Sequence, residues 1–246
     1  MTEKETYFAK GYLTKDFRQG PTLDRLNDVF RELRVKEPRK PYRWEEKYAF
    51  SADLRPDIFS YDEVFLDILF DNGIPSLLNE LAGADMRLAH IQLRHAFQGE
   101  SYMDWHRDTH FYQGDLHGSI PPVHKVIFYP RENGPPGLRL KVSPGSHLRY
   151  FGNRFLDRFQ ARVAKAENIM SSNKSFLVFN TSILHAAAAE KSRNGAYRLI
   201  YTFCRDFQID LFQDQAGLHQ EYRRRAAAVR PGERGILPVA APIMPT

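Results

Sequence analysis

The hydrophobic period of this chain changes once, near residue 87. Before that point apolar side chains recur at three- and four-residue steps. Leu23, Leu26, Phe30 and Leu33 predict an amphipathic helix over about residues 22–35. Residues 36–58 hold three prolines and mixed charge and read as an irregular connection. Ser60 and Glu63 have the spacing of a capping box ahead of Val64, Phe65, Ile68 and Leu69. Gly73 then breaks the pattern, and Pro75 suits the first turn of another short helix ending near Gly83. Residues 1–86 are therefore predicted to be mostly helical, covering one face of what comes after.

From Arg87 the period becomes two. Ala89, Ile91, Leu93 and Phe97 alternate with His90, Gln92, Arg94 and Ala96, which predicts a strand with one apolar and one polar face. Further strand-like runs are 125–129, 138–142, 175–179 and 197–205, with Leu138, Leu140 and Val142 alternating with Arg139 and Lys141. Phe155, Leu156, Phe159 and Val163 mark an inserted amphipathic helix over about residues 153–168. Many short strands between Gly/Pro turns predict a mainly β sandwich or jelly roll with flanking helices. After Asp206 the pattern fades into a basic stretch at 218–229 and a proline-interrupted end. With no repeat and no composition break, residues 1–246 read as one domain: a helical flank (1–86), a β core (87–206) and a C-terminal extension (207–246).

Composition narrows the classes. No run approaches the roughly 18 apolar residues of a membrane span, and the N-terminus MTEKETYF lacks the apolar stretch of a signal peptide. The single cysteine, Cys204, allows neither an intrachain disulfide nor a thiolate zinc site, so a cytoplasmic protein is expected. A net charge of +5 and a pI near 9.2 admit an anionic small molecule or nucleic acid as partner. The only tight basic cluster is Arg223–Arg225, however, and the tail that carries it has no aromatic-plus-basic stripe for stacking bases, which disfavours nucleic acid. No Gly-x-Ser-x-Gly elbow and no Gly-rich phosphate loop occurs.

The stretch YMDWHRDTH, residues 102–110, carries the chemistry. His106 and Asp108 are two apart, and on an extended backbone such residues point to one side. A third ligand from a distant histidine would complete the 2-His-1-carboxylate facial triad that holds Fe(II) and leaves positions open. His185, in FNTSILH, is the candidate. A His-x-Asp tripeptide is common by chance, and an ordinary surface pair is the simpler reading of it alone.

Context decides. The segment NGPPGLRLKVSPGSHLRY, residues 133–150, resembles the Pro-Gly-Ser-His segment of the phytanoyl-CoA dioxygenase family of Fe(II)/2-oxoglutarate-dependent oxygenases, with Pro144, Gly145, Ser146 and His147 in place. Trp105, His106 and Asp108 resemble the family's upstream element, His185 its distal histidine, and Arg198 its 2-oxoglutarate-binding arginine at the start of a strand. The order agrees across residues 87–203. The resemblance implies a double-stranded β-helix core, with Fe(II), 2-oxoglutarate and O2 used to oxidise a C–H bond of a small polar metabolite. Hydroxylation is the usual outcome, with release of succinate and CO2. It also implies iron ligands at His106, Asp108 and His185, Arg198 on the distal carboxylate of 2-oxoglutarate, and Gln92 and Arg94 facing the co-substrate. Tyr102, Thr109 and Lys125 are candidate contacts for a polar or anionic substrate. His147 is expected to be structural.

Departures keep alternatives open. Four alanines, Ala186 to Ala189, replace the small polar run usual after the distal histidine, and Arg198 lies thirteen residues beyond it, so Arg193 rivals it as anchor. His110 continues the alternation and admits a cupin-like site. An inactive jelly-roll binding module and a nucleic-acid-directed oxygenase remain as other readings.

Overall fold

The computed structural model of the protein describes residues 1–36, 50–53, 61–96, 105–108, 123–130, 137–149, 154–163, 165–187 and 196–209, and its strands form two facing antiparallel sheets. The larger runs in the order β1 (Tyr12–Asp16), β7 (Ser175–Asn180), β4 (His124–Phe128), β9 (Ala196–Cys204), β3 (Arg87–Ala96) and β2 (Phe50–Asp53). The smaller holds β6 (Glu167–Ser171), β5 (Gly137–Val142) and β8 (His185–Ala187). This is the predicted jelly roll.

Strand alternation sorts the side chains into two cores. Ile91, Leu93, Val126, Phe128, Leu199, Tyr201 and Phe203 leave the large sheet on its outer face. They meet Leu26 and Phe30 of α2 (Pro21–Lys36), Phe65 and Ile68 of α3 (Val64–Asp71) and Leu78 of α4 (Ile74–Ala82). The inward residues Ile127, Tyr129, Leu177, Phe179 and Ile200 pack on Leu140, Val142 and Ile169 of the small sheet. The helical cover binds by its apolar stripe, and Tyr201 extends the contact by donating its hydroxyl to the Phe65 carbonyl at 2.9 Å.

Three local expectations need correction. The N-terminal region is mostly helical, including α1 (Glu3–Lys10), but β1 and β2 extend the large sheet at its two edges. Helix α3 is started by Asp62, whose Oδ1 accepts from the Val64 amide at 2.9 Å, while Glu63 makes no side-chain cap. Ser60 lies outside the described residues. The inserted helix, α5 (Arg154–Val163), stops before residue 168, because 167–171 pair with β5 as β6. Pro75 and Gly83 stand where expected, in the first turn of α4 and in the left-handed position that closes it. The basic stretch 218–229, Arg193 and His110 lie outside the described residues.

Helix α1 packs through a buried pair, with the Tyr7 hydroxyl 2.5 Å from His124 Nδ1. Burial, then Arg205 and His147, pushes His124 down to about 4, so the ring is neutral in the folded protein. The unfolded chain takes up this proton below its ordinary value near 6.5, and the folded chain does so only near 4. Stability is therefore lost as pH falls through that window, by about 3 kcal/mol between pH 7 and pH 4. Urea unfolding of the wild type and His124→Asn at both pH values checks this, since the variant should lack that share of the acid loss. Parallel losses would exclude His124 as its source.

Candidate metal centre

His106 and His185 face each other across an antiparallel bridge, exchanging both backbone N–H···O bonds at 2.9 Å. The short segment around His106 thus lies beside β8, and Val142 of β5 pairs with His185 on the other side. Asp108, two residues on, turns its carboxylate between the two rings. Its Oδ1 is 3.4 Å from His106 Nε2 and its Oδ2 is 3.6 Å from His185 Nε2. The ring centroids are 4.3 Å apart. One donor atom from each residue lies within 4.8 Å of the others.

Donors about 2.1 Å from a common ion stand roughly 3 Å apart when they occupy adjacent positions, so a small contraction closes this set on a metal. His185 Nδ1 lies 3.0 Å from the Ile183 carbonyl, which fixes the tautomer that points the Nε2 lone pair inward. Burial, then His106, pushes His185 down to about 3, so the ring is neutral and able to ligate. Burial by itself would raise Asp108. Lys125, whose Nζ is 2.8 Å from Asp108 Oδ2, together with His185 and His106 outweighs burial and holds the carboxylate well below the usual range. Two imidazoles and one ionised carboxylate form the donor set that suits Fe(II).

The residue between the two candidate ligands was not anticipated. Alternation turns Arg107 away from the centre, and it is wholly buried. Its Nε donates to Asp157 Oδ1 at 2.8 Å, its NH2 to Gln160 Oε1 at 2.9 Å, and its NH1 to the carbonyls of Ser146 (2.9 Å) and Ser182. The fork therefore joins the His-Arg-Asp segment to α5, to the Pro-Gly-Ser-His turn and to the turn before His185. Helix α5 consequently docks by its polar side. Phe155, Phe159 and Val163, predicted as its packing stripe, are 74%, 59% and 66% exposed.

The Pro-Gly-Ser-His turn is a brace. Ser146 Oγ accepts from the Leu184 amide at 2.8 Å, and the Ser143 amide donates to the Leu184 carbonyl at 2.9 Å, which sets the position of His185. His147 Nε2 meets the Phe8 carbonyl at 2.9 Å. The His147 ring also crowds Gly11, where an added Cβ would stand 2.6 Å from Nδ1. Ser146→Ala leaves a buried amide unpaired and should cost about 1–3 kcal/mol. Urea unfolding should show that loss, and metal titration should show weaker binding. Unchanged values in both would remove the brace.

Other candidate residues share the inward face. On β9, Arg198 and Thr202 alternate with Leu199 and Tyr201 of the outer core and flank Ile200 of the inner one. The Arg198 guanidinium lies 5.7 Å from the Tyr129 ring centre and is buried. Cross-strand register places His90 beside Thr202, Thr202 beside Lys125, and Lys125 beside Phe179. Phe179 in turn packs edge-on to His185. Gln92, buried, pairs with Ile200 between this row and Arg198. Arg94 is opposite Arg198 in the ladder, but its side chain, like Tyr102 and Thr109, is outside the described residues. Lys125, a candidate substrate contact, pairs with the candidate ligand Asp108. Cys204 is buried at the end of β9, with its thiol pushed up to about 12 by burial and then Asp206, which leaves it a poor nucleophile.

No known sequence family and no curated protein matches the chain. Solved structures do. The non-haem α-ketoglutarate-dependent epimerase SnoN from nogalamycin biosynthesis aligns at 13% identity over 83% of this chain and 81% of its own, with a TM-score of 0.63. The α-ketoglutarate-dependent carbocyclase SnoK aligns at 15% over 83% of each chain, with a TM-score of 0.62. EctD from S. alaskensis, solved with 2-oxoglutarate and 5-hydroxyectoine, aligns at 13% over 83% of this chain and 76% of its own, also at 0.62. The chain has the jelly-roll fold of the iron- and 2-oxoglutarate-dependent oxygenases, the fold that the resemblance to the phytanoyl-CoA dioxygenase family implied.

Proposed function

We propose that the protein is an Fe(II)/2-oxoglutarate-dependent oxygenase that hydroxylates a C–H bond of a small polar or anionic metabolite. The observation that carries this reading is the His106–Asp108–His185 cluster, with Asp108 and His185 buried, in a fold that also buries Arg198 on the inward face of β9. With iron, 2-oxoglutarate and O2 bound, such a centre supplies the oxidising power to break an unactivated C–H bond, releasing succinate and CO2.

The protein's own groups do the arranging. His106, Asp108 and His185 would hold the metal on one side and leave the other side to exchangeable ligands. Arg198 would take the distal carboxylate of 2-oxoglutarate through both oxygens, its guanidinium oriented by the Tyr129 ring. About 13 Å of strand separates Thr202, level with Lys125, from Arg198. The inward residues between them, Gln92 and Ile200, give the co-substrate one polar and one apolar wall. Lys125, Gln92 and Arg198 make the interior cationic and polar, which favours an anionic substrate over a greasy one.

The fold also carries epimerisation and carbocyclisation in the structures named above, so product analysis is part of the test. Purified protein is incubated with Fe(II), ascorbate and 2-oxoglutarate, with and without a panel of small carboxylic acids, and succinate is measured. Metal-dependent succinate release stimulated by a panel member, with a product heavier by one oxygen, is expected. No metal-dependent release under any condition would return the chain to a non-catalytic binding role.

A further inference from the structure

The pairing of Lys125 with Asp108 gives the centre an internal rival for its metal. Lys125 is buried on the inward face of β4, and its Nζ sits 2.8 Å from Asp108 Oδ2, the oxygen that also faces His185 Nε2. A divalent ion bound by Asp108 and His185 must come close to that oxygen, and so close to the ammonium. Two cations drawn to one carboxylate at such range repel strongly where water is excluded. The three donors cannot close on an ion with Lys125 left in its present place without that repulsion.

The structure also holds a second address for the ammonium. Thr202 is directly opposite Lys125 in the β4–β9 ladder, and facing residues in such a pair have their Cβ atoms about 5 Å apart. The Thr202 hydroxyl is fully buried and makes no hydrogen bond among the described residues. A buried hydroxyl without a partner is costly, and an ammonium turning from Asp108 toward β9 would satisfy it. The other side of Lys125 is closed by Phe179, which offers no acceptor.

We infer that Lys125 is a two-position counter-ion: it neutralises Asp108 until a metal ion takes that carboxylate, then moves to Thr202 and into reach of anions bound at the metal. The inference rests on the metal-centre reading above and adds a residue that sets metal affinity from inside the fold. Lys125 is on this account a positioning residue. Its removal should weaken the metal-free protein and strengthen metal binding, which are effects of opposite sign.

The test uses full-length protein stripped by a chelator, with Co(II) as an air-stable probe followed by titration calorimetry. Lys125→Met is compared with Lys125→Gln, which keeps a hydrogen-bond donor beside Asp108 and serves if the methionine variant does not fold. Both should bind Co(II) at least about tenfold more tightly than wild type, because the competing charge is gone. Both should also unfold at lower urea concentration when metal-free. Thr202→Val should bind Co(II) several-fold more weakly, since the displaced ammonium loses its acceptor. Equal or weaker Co(II) binding by both lysine variants would overturn the proposal and leave Lys125 as a simple support for Asp108. Absence of Co(II) binding by wild type and variants alike would overturn the metal reading itself, and the proposal with it.

Discussion

Asp108→Ala should abolish 2-oxoglutarate turnover, lowering succinate release by about 10³-fold or more, equivalent to about 4 kcal/mol of lost transition-state stabilisation. The carboxylate is the only anionic donor in the cluster, and without it two imidazoles hold a divalent ion poorly. The same change strands the buried Lys125 ammonium, and breaking a buried pair from one side costs about 3–5 kcal/mol of stability. Two effects are then mixed in one variant, and a double mutant separates them. Asp108→Ala combined with Lys125→Met removes both charges, so urea unfolding should recover most of the lost stability while activity stays absent. Recovery of activity in the double mutant, or full activity in Asp108→Ala, would remove Asp108 from the centre.

The second large effect lies off the metal. Arg107→Met is expected to cost about 3–5 kcal/mol, because it leaves the Asp157 carboxylate buried without its partner and frees two carbonyls and Gln160 from the fork. For a chain of this size that corresponds to a Tm lower by roughly 10 °C or more. The His106–Asp108 segment would lose its hold on α5 and on the turn before His185, so metal affinity should fall as well. Arg107→Lys keeps the charge without the planar fork and should recover only part of either loss. Thermal unfolding and metal titration of the three proteins decide. A Tm within a degree or two of wild type for Arg107→Met would show that the buried network contributes little.

How much of this was legible from the sequence depended on whether a feature was periodic or relational. The i, i+2 rule makes His106 and Asp108 neighbours on any extended segment, and alternation alone puts Arg198, Ile200 and Thr202 on one face of β9. Both statements need no partner to be known. Strands β1, β2 and β6 are four or five residues long and lie at sheet edges, where YLTKD and ENIMS carry too few buried positions to show a period. Arg107 reads as an ordinary charge between two candidate ligands, because its partners Ser146, Asp157 and Ser182 are 39 to 75 residues away. The inverted docking of α5 follows from that same hidden contact. Its Phe155, Phe159 and Val163 stripe has the period of a core-facing helix, but the ionic anchor of Asp157 to Arg107 fixes the opposite face inward. Lys125 is the clearest case: position on β4 shows only that it points inward, and the fold supplies the carboxylate that meets it.

The central claim is that the His106–Asp108–His185 cluster holds a metal to which 2-oxoglutarate binds, with Arg198 gripping the far end of the co-substrate. The most direct test is anaerobic titration of the purified protein with Fe(II) and then 2-oxoglutarate, following the weak visible charge-transfer absorption that appears only when the 2-oxo acid chelates the iron. Wild type should develop that band, His106→Ala should lose it, and Arg198→Ala should need far more 2-oxoglutarate to reach it. Iron binding without the band, or a band that survives both substitutions unchanged, would contradict the account.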